Sequence, residues 1–233
     1  MDFAFYANGV SSPVTSLTRA QLTTLFTSGP QAIGGVNIVP CGIQTDSGTY
    51  QSWNVALGAA GAQEAAATAT CRNATTTGLA NGRLEEEDGV GLKAKGDALV
   101  GSEVIVAFSA AKFLSMSNGV SPSTLAGTGI DLGAITDNGS GTSLGKPYTG
   151  AAPNLAPNSA YYSDTLFGRN VYNVFDSARI NGFGNSDLKS LFVGSTSTLC
   201  GAPAQAVVNL FGFQSISSCG STSTTGPLVS GTI

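Results

Sequence analysis

Apolar residues recur along this chain with two different periods. Residues 2–6 alternate aromatic and small side chains and stop at Asn8-Gly9, the pattern of a short strand closed by a turn. Leu17, Leu22, Leu25 and Phe26 then share one face at helical spacing. Ser16 or Thr18 stands where a cap is needed, and Gln21 follows Thr18 by three residues as in a capping box. Gly29-Pro30 ends that helix. Residues 36–39 form a β-branched run interrupted by Asn37, long enough for one buried strand, and lead directly into a loop over residues 42–50. Helical pieces are expected over 51–57 and 64–69. The strongest strand signal is the near-continuous apolar run 104–108, typical of a strand covered on both faces. Ser109 caps a helix through Met116 that Asn118-Gly119 stops.

Weaker patterns fill the rest. Glu85, Glu86, Glu87 and Asp88 followed by Lys93 and Lys95 read as a helix with acids in its first turn and lysines in its last. From 121 to 158 the chain is rich in Gly, Ser, Thr, Asn and Pro, so it reads as surface loop or a weakly paired hairpin with one strand near 130–135. Residues 169–175 read as another strand through Val171, Tyr172 and Val174. Short helices are expected over 187–193 and 205–210, an edge strand over 212–216, and a mobile tail from Ser221. Strands alternating with helices predict an α/β fold with a mixed, largely parallel sheet flanked by helices.

Composition narrows what the surface can do. With 10% charged residues against roughly a quarter in ordinary soluble domains, the surface must be built from Ser, Thr, Asn and Gly, as is common in secreted proteins. The net charge of −4 leaves no extended cationic face, so nucleic acid is not an expected partner. No apolar run approaches the ~18–20 residues of a bilayer span. No basic-then-apolar leader begins at Met1, and the start reads as cut rather than natural.

Cys41, Cys71, Cys200 and Cys219 contain no CxxC pair, and the chain has no histidine to complete a zinc site. Disulfides are the better reading. Of the three connectivities possible for four cysteines, Cys41 with Cys71 and Cys200 with Cys219 closes two local loops; four buried free thiols are the alternative.

The segment of chemical interest is Gln44-Thr45-Asp46-Ser47-Gly48-Thr49-Tyr50, where a strand runs into a Ser-Gly-Thr step that opens a helix. The first N–H groups of a helix lack intrahelical partners and its dipole is positive there. The hydroxyls of Ser47 and Thr49 and the N–H groups near Gly48 can then converge on one oxyanion, with Gln44, Asp46 and Tyr50 at hand for directional contacts. The plainer reading makes Asp46 or Ser47 a helix cap and Gly48 a turn residue.

Around that step the chain resembles a known family. Residues 13–22, Pro-Val-Thr-Ser-Leu-Thr-Arg-Ala-Gln-Leu, are similar to the segment that follows the first interdomain crossing in phosphate-type periplasmic substrate-binding proteins of ABC transporters, the type II periplasmic-binding-protein family. Glu86 to Gly89, the 104–108 strand with Ser109-Ala110-Ala111-Lys112, and residues 169–174 look like later landmarks of actinobacterial relatives, the last being the return crossing. The resemblance implies that residues 1–174 are a second-lobe-like domain with hinge strands 2–6 and 171–174. Residues 175–220 would be a return segment of the first lobe and 221–233 a flexible tail. It also implies that Ser47, Gly48 and Thr49 hold the phosphate. Two departures accompany it: Ile43 stands where phosphate binders usually carry an arginine, and the usual first-lobe segment is absent.

Other chemistry is weakly signalled. Without histidine there is no Ser-His-Asp or Cys-His base, and the carboxylates at 85–88 form no calcium loop. Trp53 reads as core rather than a sugar platform, while Tyr161 and Tyr162 stay open. The expectation is an exported, non-enzymatic domain, extracellular, periplasmic or at the cell surface. It needs no cofactor and binds a small anionic or polar solute. A transporter permease, a companion lobe or self-association would supply its partners. The alternative is a structural or self-associating surface protein that keeps the fold without the ligand.

Overall fold

The computed structural model describes residues 1–175, 179–180 and 186–222. The chain divides into two units, Met1–Arg169 and Asn170–Ile233.

The first unit is α/β, a mixed sheet flanked by helices. Strands β1 (Asp2–Ala7), β2 (Ser16–Thr18), β3 (Gln31–Ile33), β4 (Val36–Cys41), β5 (Ser102–Phe108) and β6 (Asp131–Leu132) precede β7 (Ala134–Asp137), β8 (Tyr148–Thr149) and β9 (Ala156–Pro157). The central sheet has the order β3-β4-β5-β1-β6. The parallel pairing expected from the alternation lies at its heart, β4 beside β5. β3 is antiparallel to β4 and β1 to both β5 and β6, so β4, β5 and β6 run one way and β3 and β1 the other. Outside it, β2 pairs parallel with β7, and β8 with β9 antiparallel.

The helices follow their caps. In α1 (Arg19–Ser28) the Thr18 hydroxyl accepts from Gln21 N at 3.1 Å, and the Gln21 side chain accepts from Thr18 N at 2.8 Å. Leu17 shares the apolar face but belongs to β2. α2 (Gly48–Leu57) starts behind Ser47, α3 (Gly61–Ala67) and α4 (Ala69–Ala74) divide at Thr68, and α6 (Ala110–Ser117) starts behind Ser109 as expected. In α5 (Gly89–Ala98) the acids lie before the helix rather than in its first turn. Asp88 is the cap, accepting from Gly91 N at 2.8 Å, and Glu87 turns the chain with φ +60°.

β5 is buried along 103–108, as its unbroken apolar run predicts. It packs with Phe3, Ile38, Val39, Leu92, Phe113 and Leu114 into the core. Cys41–Cys71 ties β4 to α4, and Cys200–Cys219 closes within the second unit. Both pairings are those read from the sequence, and such bonds form and persist in oxidising compartments outside the cytoplasm. No helix among the described residues is long and apolar enough to cross a membrane.

Four expectations are corrected. Residues 121–158 are not mere decoration, because Ile130, Leu132, Ile135 and Leu144 enter the core. The strand read there breaks at Gly133, where any Cβ would fall inside the ring of Phe3. Residues 171–174 form no hinge strand: Val171, Tyr172 and Val174 are exposed, and both edges of β1 are taken, by β5 and β6. In the second unit α7 (Ser159–Tyr162) has no part, since it closes the first. In that second unit α8 (Ser186–Phe192) and α9 (Ala202–Leu210) match the two short helices read over 187–193 and 205–210, the second starting earlier, a 3-10 turn at Thr198–Cys200 was not read, and 212–216 carries no strand. The expected mobile tail lies, from 223 on, outside the described residues.

Glu103, mid-sheet in β5, is fully buried; its Oε2 accepts from Val14 N at 2.7 Å and its Oε1 has no partner. Burial pushes its carboxyl up to about 7 against the Val14 hydrogen bond. The folded chain therefore keeps this proton to about pH 7, whereas the unfolded chain releases it near 4.5. Because the folded state binds more protons in that window, stability falls as pH rises through it. Asp2, also raised to about 7 by burial, adds a slope of the same sign. Glu103→Gln is expected to shrink the stability lost between about pH 5 and about pH 8 by roughly 2 kcal/mol in denaturant titrations; an unchanged slope excludes Glu103 as its source.

Candidate functional site

Where β4 ends, the backbone crosses a charged pair sealed from water. Arg83 donates from Nη1 and Nη2 to Glu64 Oε1 and Oε2 at 2.9 and 2.6 Å, with side-chain exposures of 5% and 2%. The same Nη1 donates to the Ile43 carbonyl at 2.9 Å. Gly42 is the residue that permits this crossing, since a Cβ there would stand 2.6 Å from Arg83 Nη1 and from Glu64 Oε1. Main-chain bonds Gln44 N to Leu84 O at 2.9 Å and Leu84 N to Gly42 O at 3.0 Å clamp the other side. The turn through Thr45 and Asp46 therefore leaves a fixed platform.

That turn delivers α2. Ser47 is extended and its Oγ accepts from Tyr50 N at 3.0 Å, so it is the helix cap, as the plainer reading allowed; its own O–H remains a donor. Gly48 is exposed at the first position of the helix. Thr49 is 1% exposed and its hydroxyl has no partner. Such an orphaned buried donor costs about 1–3 kcal/mol until something accepts from it.

The structure thus brings Ser47, Gly48 and Thr49 to one helix mouth, with Asp46 exposed beside it and Gln44 half-buried below. It does not bring Tyr50 there. The Tyr50 ring lies under Arg83, 5.5 Å from Cζ to centroid, and its hydroxyl faces Gly61 at the start of α3. Trp53 is core, edge-on to Phe26 and Phe167. Tyr161 is buried, and its hydroxyl donates to the Met1 carbonyl at 3.1 Å.

Sequence reasoning missed two residues here. Arg169, exposed, lays its guanidinium against Gly48: a Cβ there would meet Nη1 at 3.1 Å and Nη2 at 3.7 Å. Nη1 donates to Ser52 Oγ at 3.1 Å, across 117 residues of chain. Glu87 is the second. Burial and neighbouring Glu86 raise its carboxyl to about 7, while Lys112 and Arg169 pull it down. No spacing rule connects either residue to position 48. Its left-handed backbone is the only local oddity that sets Glu87 apart.

No protein family, no curated protein and no solved structure matches the chain.

Because Arg83 is buried, Glu64→Ala leaves an unpaired guanidinium beneath Gly42 and is expected to cost about 3–5 kcal/mol. Urea denaturation checks this, and a loss under about 1 kcal/mol would show that water reaches the pair.

Proposed function

We propose that the chain is an exported solute-binding domain that takes a small, phosphate-like oxyanion at the mouth of α2 and makes or breaks no bond. The observation that carries this reading is the first turn of a ten-residue helix with an exposed glycine and a buried hydroxyl, Thr49, that lacks an acceptor. Unpaired N–H groups and the positive helix end favour negative charge there. The two disulfides support a place outside the cytoplasm, periplasmic, secreted or at the cell surface. The resemblance of residues 13–22 and 47–49 to phosphate-type binding proteins supports the solute class, and with it a transporter permease or companion lobe as partner.

A second reading, a self-associating surface protein, draws on the second unit. There Val207, Leu210, Phe211, Phe213 and Ile216 are each more than 40% exposed. Light scattering that shows concentration-dependent association, together with no thermal shift from any oxyanion, favours it.

Calorimetric titration with inorganic phosphate and sulfate tests the first reading. Thr49→Val is expected to weaken binding about tenfold while leaving the ligand-free melting temperature unchanged or higher, because it deletes an unsatisfied buried hydroxyl. Wild-type affinity in Thr49→Val would remove the helix mouth as the site.

A further inference from the structure

Arg169 occupies a place where a cation is disfavoured. The start of α2 carries the positive end of its dipole and its unpaired N–H groups. The guanidinium lies directly against that start, over Gly48. The ion pairs among the described residues are Glu64–Arg83, Lys93–Asp97 and Asp131–Lys146, and Arg169 belongs to none of them. Its guanidinium donates to a neutral hydroxyl, Ser52 Oγ. The guanidinium and the helix start thus put two sources of positive charge at one exposed glycine, with Asp46 exposed beside them. An anion at that edge can be held by both.

We infer that Arg169 is an anion-binding residue of this site, supplying from the far end of the first unit the positive charge that position 43, an isoleucine, cannot. The inference rests on the proposed reading of the α2 mouth and sharpens it: the ligand must be a formally charged oxyanion, not a neutral polar solute. A planar guanidinium presents parallel N–H donors that match two oxygens of a phosphate or sulfate group. The ligand would lie at the edge of Gly48, within reach of Arg169 and of the unpaired N–H groups of the first turn, with the Thr49 hydroxyl buried just beneath that turn.

The test is isothermal titration of the full chain with inorganic phosphate and with sulfate, at low and high ionic strength, for wild type, Arg169→Ala, Arg169→Lys, Arg169→Glu and Thr49→Val. Arg169→Ala is expected to weaken both anions about tenfold to a hundredfold. Arg169→Lys should fall between it and wild type, and Arg169→Glu should abolish binding. All three should melt like wild type, because the side chain is exposed. Binding that Thr49→Val weakens and Arg169→Ala leaves untouched overturns the role of Arg169 while the helix-mouth reading stands. Equal affinity of wild type and Arg169→Glu overturns it as well. If wild type binds neither anion, the reading and the inference fall together.

Discussion

The site depends on a charged pair held out of water. Burying a carboxylate and a guanidinium costs several kcal/mol each before they attract one another, and only near-ideal geometry recovers it. Glu64 and Arg83 have that geometry, two parallel bonds, and Arg83 spends its remaining reach on the Ile43 carbonyl and the Tyr50 ring. The pair thus touches the strand end, the loop and the first turn of α2 together. A hydrophobic replacement could fill the same volume. It could not hold a carbonyl oxygen in place, and the direction in which α2 leaves the sheet follows from that carbonyl.

Charge is scarce in this chain, and its placement is correspondingly informative. The net charge of −4 does not fix the local balance of charge, and around Gly48 a helix start and one arginine sit together with the exposed Asp46. Several other cations are held by specific partners. Lys95 is buried with its ammonium donating to the carbonyls of Arg72 and Thr75 at 3.1 and 2.7 Å, and Lys146 is held by Asp131 and the Tyr148 hydroxyl. Arg169 differs from these in resting on a helix start, with a neutral hydroxyl, Ser52 Oγ, as its hydrogen-bond partner.

How much of this was legible in the sequence depends on the range of the forces involved. Caps act within one turn, so Thr18 with Gln21, Ser47 and Ser109 were readable from residue type and spacing. The 104–108 run was readable because burial on both faces leaves no polar alternation. Gly133 was not, since the reason for a glycine is the ring of Phe3, far off in the chain. Residues 171–174 have strand-forming side chains, but propensity yields when the strand expected as their partner, β1, already has both edges paired. The helix mouth itself was legible; the guanidinium laid across it was not, because nothing local at position 169 encodes Ser52 or Gly48 as its neighbour.

The disulfides have a consequence for how such a chain could have been assembled. Each bridge begins and ends inside one unit, Cys41 with Cys71 before Arg169 and Cys200 with Cys219 after Asn170. A recombination break at that junction orphans no half-cystine. Either piece can be exchanged, duplicated or lost in evolution with its own oxidative staple intact.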